Sequence, residues 1–150
     1  DIIKNIFETS KKYSCSIMYP DDVVTGKDFD SQPVVKELNN VQDDDMILDI
    51  GPKTIKKIDT VINSSKTILW NGPAGYFENP SFATGSYEIT KSIVRKNKKN
   101  SIYSVAGGGD TIAVLNKINA IDDFNFVSTA GGAFLEYLEG KKLPGISALN

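Results

Sequence analysis

Residues 104–111 read Ser-Val-Ala-Gly-Gly-Gly-Asp-Thr, and the rest of the chain is organised around this stretch. An apolar run over 102–105 predicts a short strand before it, and the run over 112–115 predicts a helix after it. Glycines let a ligand approach the main chain, and a helix starting behind them presents unpaired N–H groups to an anion. Asp110 could cap that helix or hold a metal ion that bridges phosphate oxygens. The stretch favours a phosphate site, and a tight turn with an Asp N-cap is the structural alternative.

Composition narrows the class of protein. The 150 residues are 40% apolar and 24% charged, as in a globular domain. The net charge of −2 does not provide the excess of positive charge that is typical of nucleic-acid-binding proteins. No apolar run is long enough for a bilayer and no signal peptide opens the sequence, so we expect no membrane partner. The single cysteine, Cys15, cannot form an internal disulfide, which favours a cytoplasmic setting. The absence of histidine excludes His-based metal sites and His-assisted nucleophiles.

Apolar periodicity predicts alternating strands and helices along the chain. We expect strands at 15–19, 23–25, 46–50, 67–70, 102–105 and 125–129, and helices at 1–12, from 52, and at 82–96, 110–118 and 133–139. Residues 27–40 have a weak pattern and are interpreted as mostly loop, with one more strand left open, and the acidic run 43–45 as a solvated turn. Such alternation requires crossover connections, hence an α/β fold of the Rossmann-like, doubly wound type with a largely parallel sheet and helices on both faces. Because a helical pattern starts directly at Asp1, we expect the chain to be cut from something longer.

Three predicted strands end in glycine-bearing loops, at 71–75, 106–109 and 130–132. In a parallel sheet these carboxyl ends meet at one edge, where ligands of α/β proteins bind. Two familiar phosphate motifs are nevertheless absent. The dinucleotide fingerprint fails because Ile112 stands where a third glycine is required, and no Gly-Lys precedes Ser or Thr as a Walker A loop demands. The predicted nucleotide site is therefore of another kind.

The residues carry a resemblance to a known family. Residues 70–78, Trp-Asn-Gly-Pro-Ala-Gly-Tyr-Phe-Glu, resemble the W-N-G-P-x-G-x-F-E signature of phosphoglycerate kinases. Residues 106–111 resemble that family's G-G-G-D-[ST] loop, and 128–145 its closing S-T-G-G-G-A…L-E-G-K-x-L-P-G segment. Residues 48–52 and 20–24 fit less specifically. The motifs occur in the family's order and span nearly the whole chain.

The resemblance implies most of the second, nucleotide-binding domain of a two-domain kinase, with the first, substrate-binding domain absent from residues 1–150. The implied reaction is phosphoryl transfer between ATP and the carboxyl group of 3-phosphoglycerate, by a monomeric parent enzyme that uses Mg²⁺ as MgATP or MgADP. Asp110 would engage the metal, while Gly107, Gly108, Gly109 and Thr111 would cradle phosphate. Gly108, Gly131 and Gly132 would lie near the transferred phosphoryl group.

The resemblance also implies the rest of the nucleotide site. Asn71 would lie near the phosphates, and Glu78 would accept hydrogen bonds from the ribose hydroxyls. The adenine slot would be walled by apolar residues, namely Ile47, Leu48, Pro73 and Phe77.

The sequence departs from the family pattern in ways that leave other functions open. Ala130 replaces the first glycine of the closing motif, and Ile47 stands where some members have glycine. The Arg- and His-rich acceptor site has no counterpart here, because Arg95 is the one arginine. One alternative is a nucleotide-binding module without chemistry of its own. Another is a structural domain in which the glycines serve only tight turns.

Overall fold

The computed structural model describes residues 1–99 and 101–149. Its strands are β1 (Asp22–Gly26), β2 (Val34–Glu37), β3 (Met46–Ile50), β4 (Thr67–Trp70), β5 (Tyr103–Gly107) and β6 (Phe126–Ser128). Its α-helices are α1 (Ile2–Lys12), α2 (Pro52–Ser64), α3 (Thr84–Asn97), α4 (Gly109–Lys117), α5 (Gly132–Leu138) and α6 (Pro144–Ser147). Short 3₁₀ turns occupy Leu38–Asn40, Pro80–Phe82 and Ile121–Asp123.

The predicted parallel sheet is formed by the three later strands, in the order β4-β5-β6. Trp70 and Ala106 pair across β4 and β5 and are both buried on the face that packs against α3 and α4. Ile93 of α3 and Leu115 of α4 are almost fully buried in the same core. On the other face of the sheet, three large side chains are exposed: Leu69, Tyr103 and Phe126. The α/β class with a parallel sheet flanked by helices is confirmed.

The first three strands form a separate antiparallel sheet, in the order β2-β1-β3. Connection 27–33 is too short for the helical crossover that parallel pairing needs, so β2 turns back antiparallel to β1. Connection 38–45 then leads from one edge of the sheet to the other, where β3 pairs antiparallel with the opposite side of β1. Residues 34–37, placed in a mostly irregular segment by their weak pattern, supply the edge strand of this sheet. Three of the four residues of this strand are exposed, which explains why no apolar period marked it.

The structure corrects two expectations from the sequence. The predicted strand at 15–19 is wrong: these residues are exposed and adopt no regular element, and none of the strands described within 1–99 and 101–149 pairs with them. The acidic run 43–45 is only partly a solvated turn. Asp45 has a side chain that is 2% exposed and pairs with Lys36 at 2.5 Å and Lys27 at 3.0 Å. It thereby ties the turn before β3 to β2.

Among the helices of residues 1–99 and 101–149, none is both long and apolar enough to cross a membrane. Helix α1 begins at Ile2 with its N-cap at Asp1, close to the predicted start. Its apolar residues Ile2, Ile3, Ile6 and Phe7 are all exposed.

Candidate functional site

The three glycine-bearing loops lie at one edge of the parallel sheet, as predicted. The parallel register places Trp70 beside Ala106 and Gly107 beside Ser128, so β4, β5 and β6 end side by side. Their loops therefore meet at the carboxyl edge, where an α/β sheet presents backbone N–H groups and helix starts to a ligand.

The central loop is shaped around Gly108, which has a φ of +95°. A Cβ there would lie 2.6 Å from the amide oxygen of Asn71 and 3.6 Å from the Thr111 hydroxyl. Only glycine combines this backbone conformation with so close an approach. Asn71, Gly108 and Thr111, three of the residues predicted for phosphate binding, are thus brought together. Gly107 also lies beside this group, since a Cβ there would be 3.9 Å from the amide oxygen of Asn71 and 3.3 Å from the ring of Phe134.

Thr111 joins two of the loops. Its side chain is fully buried, and its hydroxyl accepts a hydrogen bond from the N–H of Gly72 at 2.8 Å. The β4 loop is therefore fixed to the first turn of α4. A hydroxyl can still donate its own proton while accepting this bond.

Asp110 stands exposed in the first turn of α4. Gly108 is the N-cap of this helix and no side chain caps it, so the structural alternative of an Asp N-cap is not formed. Within residues 1–99 and 101–149, the Asp110 carboxylate has no hydrogen-bond or ion-pair partner, and no cluster of three metal-ligating side chains occurs. A single carboxylate is how proteins commonly bind Mg²⁺ that also carries substrate phosphates. The donor set fits a metal delivered with a nucleotide.

The third loop is open. Gly131 has a φ of +51°, and a Cβ at Gly131, Gly132 or Gly109 would meet no atom within 4 Å. Ala130, the departure from the glycine triplet, is exposed, and its N–H donates to the Ser128 hydroxyl at 3.2 Å. The backbone of this loop is therefore not covered by other described residues at Gly131 and Gly132.

An apolar cavity of about 430 Å³ lies where the β3 end meets the β4 loop. Three of the four residues predicted for an adenine slot line it: Ile47, Leu48 and Pro73. Phe29 and Tyr76 line it as well, with ring centroids 4.6 Å apart. Sequence reasoning missed both. Tyr76 lies inside the 70–78 motif, directly before Phe77, and as an aromatic residue it could have been predicted to line the adenine slot in the same way. Phe29 lies in a segment whose apolar residues show no helix or strand period.

Phe77, the fourth predicted wall residue, lies in the hydrophobic core with 7% of its surface exposed, and it does not line this cavity. Its carbonyl accepts a hydrogen bond from the Lys117 ammonium at 2.9 Å, and that ammonium lies 5.0 Å from its ring centroid. Glu78 follows with an exposed side chain. The chain thus turns Phe77 inward and Glu78 outward.

Asp49, which was not singled out from the sequence, fixes the cavity wall. Its buried carboxylate accepts hydrogen bonds from the N–H groups of Gly85 and Ile50, both at 2.8 Å. Burial raises the pKa of this carboxyl, although these two hydrogen bonds act in the opposite direction. A Cβ at Gly75 would lie 2.5 Å from the same carboxylate. Asp49 therefore holds the β4 loop and the start of α3 against β3.

Known proteins of one family are similar to this chain in sequence and in fold. The phosphoglycerate kinase family model matches residues 1–141. The chain is 46% identical over 151 aligned residues to the phosphoglycerate kinase of Zymomonas mobilis, and 42% identical to that of Wolbachia pipientis wMel. Each alignment covers 99% of this chain but 38% of the relative. The chain thus spans less than half the length of these relatives.

Solved structures agree with the sequence comparison. The phosphoglycerate kinase of Coxiella burnetii superposes with a TM-score of 0.86 at 38% identity, covering 96% of this chain and 36% of its own. That of Pyrococcus horikoshii gives a TM-score of 0.78 at 32% identity, over 98% of this chain and 36% of its own. With the family model matched over 141 residues, the chain belongs to the phosphoglycerate kinase family.

Proposed function

We propose that this chain supplies the Mg-nucleotide site of a phosphoglycerate kinase. The reaction is phosphoryl transfer between ATP and 3-phosphoglycerate, which in the glycolytic direction makes ATP from ADP and 1,3-bisphosphoglycerate. In this assignment, residues 1–150 form most of the second, nucleotide-binding domain, and the acceptor binds on a first domain. The observation that carries the proposal is the convergence of Asn71, Gly108 and Thr111 at the carboxyl edge of the parallel sheet.

The phosphate end of the nucleotide would lie over this convergence. The N–H groups of the 107–109 loop and of Gly131 and Gly132 would donate to phosphate oxygens, including those that gain charge during transfer. Asn71 would add a side-chain donor once its amide is oriented by the ligand. The Asp110 carboxylate would hold Mg²⁺, and the metal, when bound, neutralises charge on the bridging phosphate oxygens.

The nucleoside end would occupy the apolar cavity beside this edge. Ile47, Leu48 and Pro73 would contact the flat base together with the aromatic pair Phe29 and Tyr76. Glu78, which is exposed and follows Tyr76 by two residues, would accept hydrogen bonds from the ribose hydroxyls. Phosphoryl transfer is chiefly positioning plus charge stabilisation, and this arrangement supplies both for the donor.

Replacement of Gly108 by alanine tests the proposal directly. Titration calorimetry with MgADP should show binding by the parent chain and its loss or large weakening in Gly108→Ala, because the new Cβ would collide with Asn71. Gly140→Ala is the matched control: Gly140 also has positive φ, at +81°, but a Cβ there meets no atom within 4 Å. It should carry similar backbone strain and keep nucleotide affinity. A parent chain that does not bind MgADP, or a control as impaired as Gly108→Ala, would contradict the proposal.

A further inference from the structure

Helix α4 holds the loop of residues 71–78 at two points, one at each of its ends. At the start of the helix, the Thr111 hydroxyl accepts from the N–H of Gly72 at 2.8 Å. At the last residue, the Lys117 ammonium donates to the carbonyl of Phe77 at 2.9 Å. The loop therefore runs alongside the helix in the same direction and is fixed both early and late.

The second attachment rests on more than one contact. The Lys117 ammonium also lies 5.0 Å from the centroid of the Phe77 ring, within the range of a cation–π interaction. Phe77 is 7% exposed and packs in the hydrophobic core, so the lysine contacts a residue that is held by its neighbours. Within the described part of the chain, Lys117 forms no ion pair with a carboxylate. Its contacts are directed at Phe77, immediately before Glu78.

We propose that Lys117 is a positioning residue that sets the place of Glu78, and that α4 thereby fixes the spacing between the ribose and phosphate subsites. This inference rests on the proposed function. Asp110 and Lys117 are seven residues apart on one helix, so the backbone positions that carry the metal carboxylate and the anchor of the ribose carboxylate are separated by about 10 Å along the helix axis. A diphosphate nucleotide bound along this helix must match that span, because neither end of the loop can shift without breaking its bond to α4.

A competing explanation is that Lys117 only stabilises the helix. A lysine in the last turn interacts favourably with the helix dipole wherever its ammonium points. That role predicts a general loss of stability and of all nucleotide binding. The positioning role predicts a loss confined to ligands that possess ribose hydroxyls.

The test compares MgADP with Mg-2′,3′-dideoxy-ADP by titration calorimetry on the 150-residue chain. Lys117→Met removes the donor and the charge but keeps the length, and should weaken MgADP binding by about fivefold. Binding of the dideoxy nucleotide should be unchanged. Lys117→Arg keeps a cationic donor and should restore most of the MgADP affinity. Lys91→Met is the control, since Lys91 is an exposed lysine on α3 whose partner is Glu88 at 2.7 Å.

The double variant Glu78→Gln, Lys117→Met should bind MgADP no more weakly than Glu78→Gln alone, because both changes act on one interaction. Equal weakening of both nucleotides by Lys117→Met, or no weakening of either, would overturn the positioning role while leaving the nucleotide site intact. Failure of the parent chain to bind either nucleotide would instead overturn the proposed function, and this inference with it.

Discussion

The carboxylate of Asp22, on β1, accepts hydrogen bonds from both the N–H and the hydroxyl of Thr54, each at 2.8 Å. It also accepts from the N–H of Lys53 at 3.0 Å. The N-cap position of α2 is Gly51, which has no side chain to satisfy these donors. Asp22 therefore caps α2 from across the sheet. Burial raises the pKa of this carboxyl, but the donors of Lys53 and Thr54 outweigh burial, and the pKa lies below its ordinary value.

Asp22→Ala should lower the free energy of unfolding by about 2 kcal/mol, because it leaves the first turn of α2, including the buried Thr54, without its acceptor. Urea denaturation at neutral pH measures this change. Asp21→Ala is the neighbouring control: Asp21 is exposed and pairs with Lys57 at 2.7 Å, an interaction worth less than about 1 kcal/mol. Equal losses in the two variants would show that the cap contributes nothing specific.

Asp45 should make stability depend on acidity. Its pKa is held well below the usual range, first by the Lys36 ammonium, then by the N–H of Gln42 and by Lys27. A lowered folded-state pKa means that the stabilisation is fully present above the unfolded value, about 3.9, and is lost as pH falls below it.

Urea midpoints measured from pH 7 to pH 2 check this dependence. Asp45→Asn should be less stable than the parent at pH 7 and should lose less on acidification. Asp43→Asn alters an exposed neighbour in the same acidic run. The fall of its urea midpoint on acidification should match that of the parent chain. If the urea midpoints of the parent chain and of Asp45→Asn fell by the same amount on acidification, the Asp45 pairing would be excluded as a source of the pH dependence.

The sequence predicted the elements whose signals are local. The run into Gly107, Gly108 and Gly109 marked both β5 and the start of α4, because glycine conformation and apolar periodicity depend on neighbouring residues only. Pro52 likewise marked the first turn of α2. These predictions agree with the structure to within a few residues.

Long-range contacts were beyond the reach of those signals. The antiparallel pairing of β1 with β3 joins strands that are separated in sequence by β2, and the exposed edge strand Val34–Glu37 carries no period. Nothing local joins Phe29 to Tyr76, or Lys117 to Phe77, since each pair is about 40 or more residues apart. Within the candidate site, the motifs therefore named the loops and one of the residues that hold them, Thr111, but not Asp49 or Lys117.

Asp110→Ala should weaken binding of MgADP by about 10- to 100-fold, since a charge-assisted contact contributes roughly 1.5–3 kcal/mol. Binding of metal-free ADP should change far less, because the partner of this carboxylate would be the metal. Calorimetric titrations with and without Mg²⁺ give both affinities. Asp122→Ala, at an exposed aspartate in the 3₁₀ turn Ile121–Asp123, serves as the control. Equal losses for the two ligands would leave Asp110 without a metal role.

The 150-residue chain should bind adenine nucleotide without phosphorylating 3-phosphoglycerate. Transfer requires donor and acceptor in line, and the acceptor needs cations for its phosphate and carboxylate groups. The sequence contains no histidine and one arginine, Arg95. Arg95 lies in the last turn of α3, where it pairs with Asp59 at 2.6 Å. Because α3 leads into the start of β5, this cation lies at the amino edge of the sheet, opposite the glycine loops.

A coupled assay on the purified chain decides this point, with Asp110→Ala as the background control. Binding of MgADP must be established by calorimetry in the same preparation. An assay without turnover then shows that the folded protein does not catalyse the reaction, and not that the protein is unfolded. Turnover should not exceed the control, since Arg95, the one arginine, is paired with Asp59 away from the glycine loops and is not placed to neutralise an acceptor in line with the donor. Turnover clearly above that background would place an acceptor site within these 150 residues. The lysines of the chain would then be the groups to replace first.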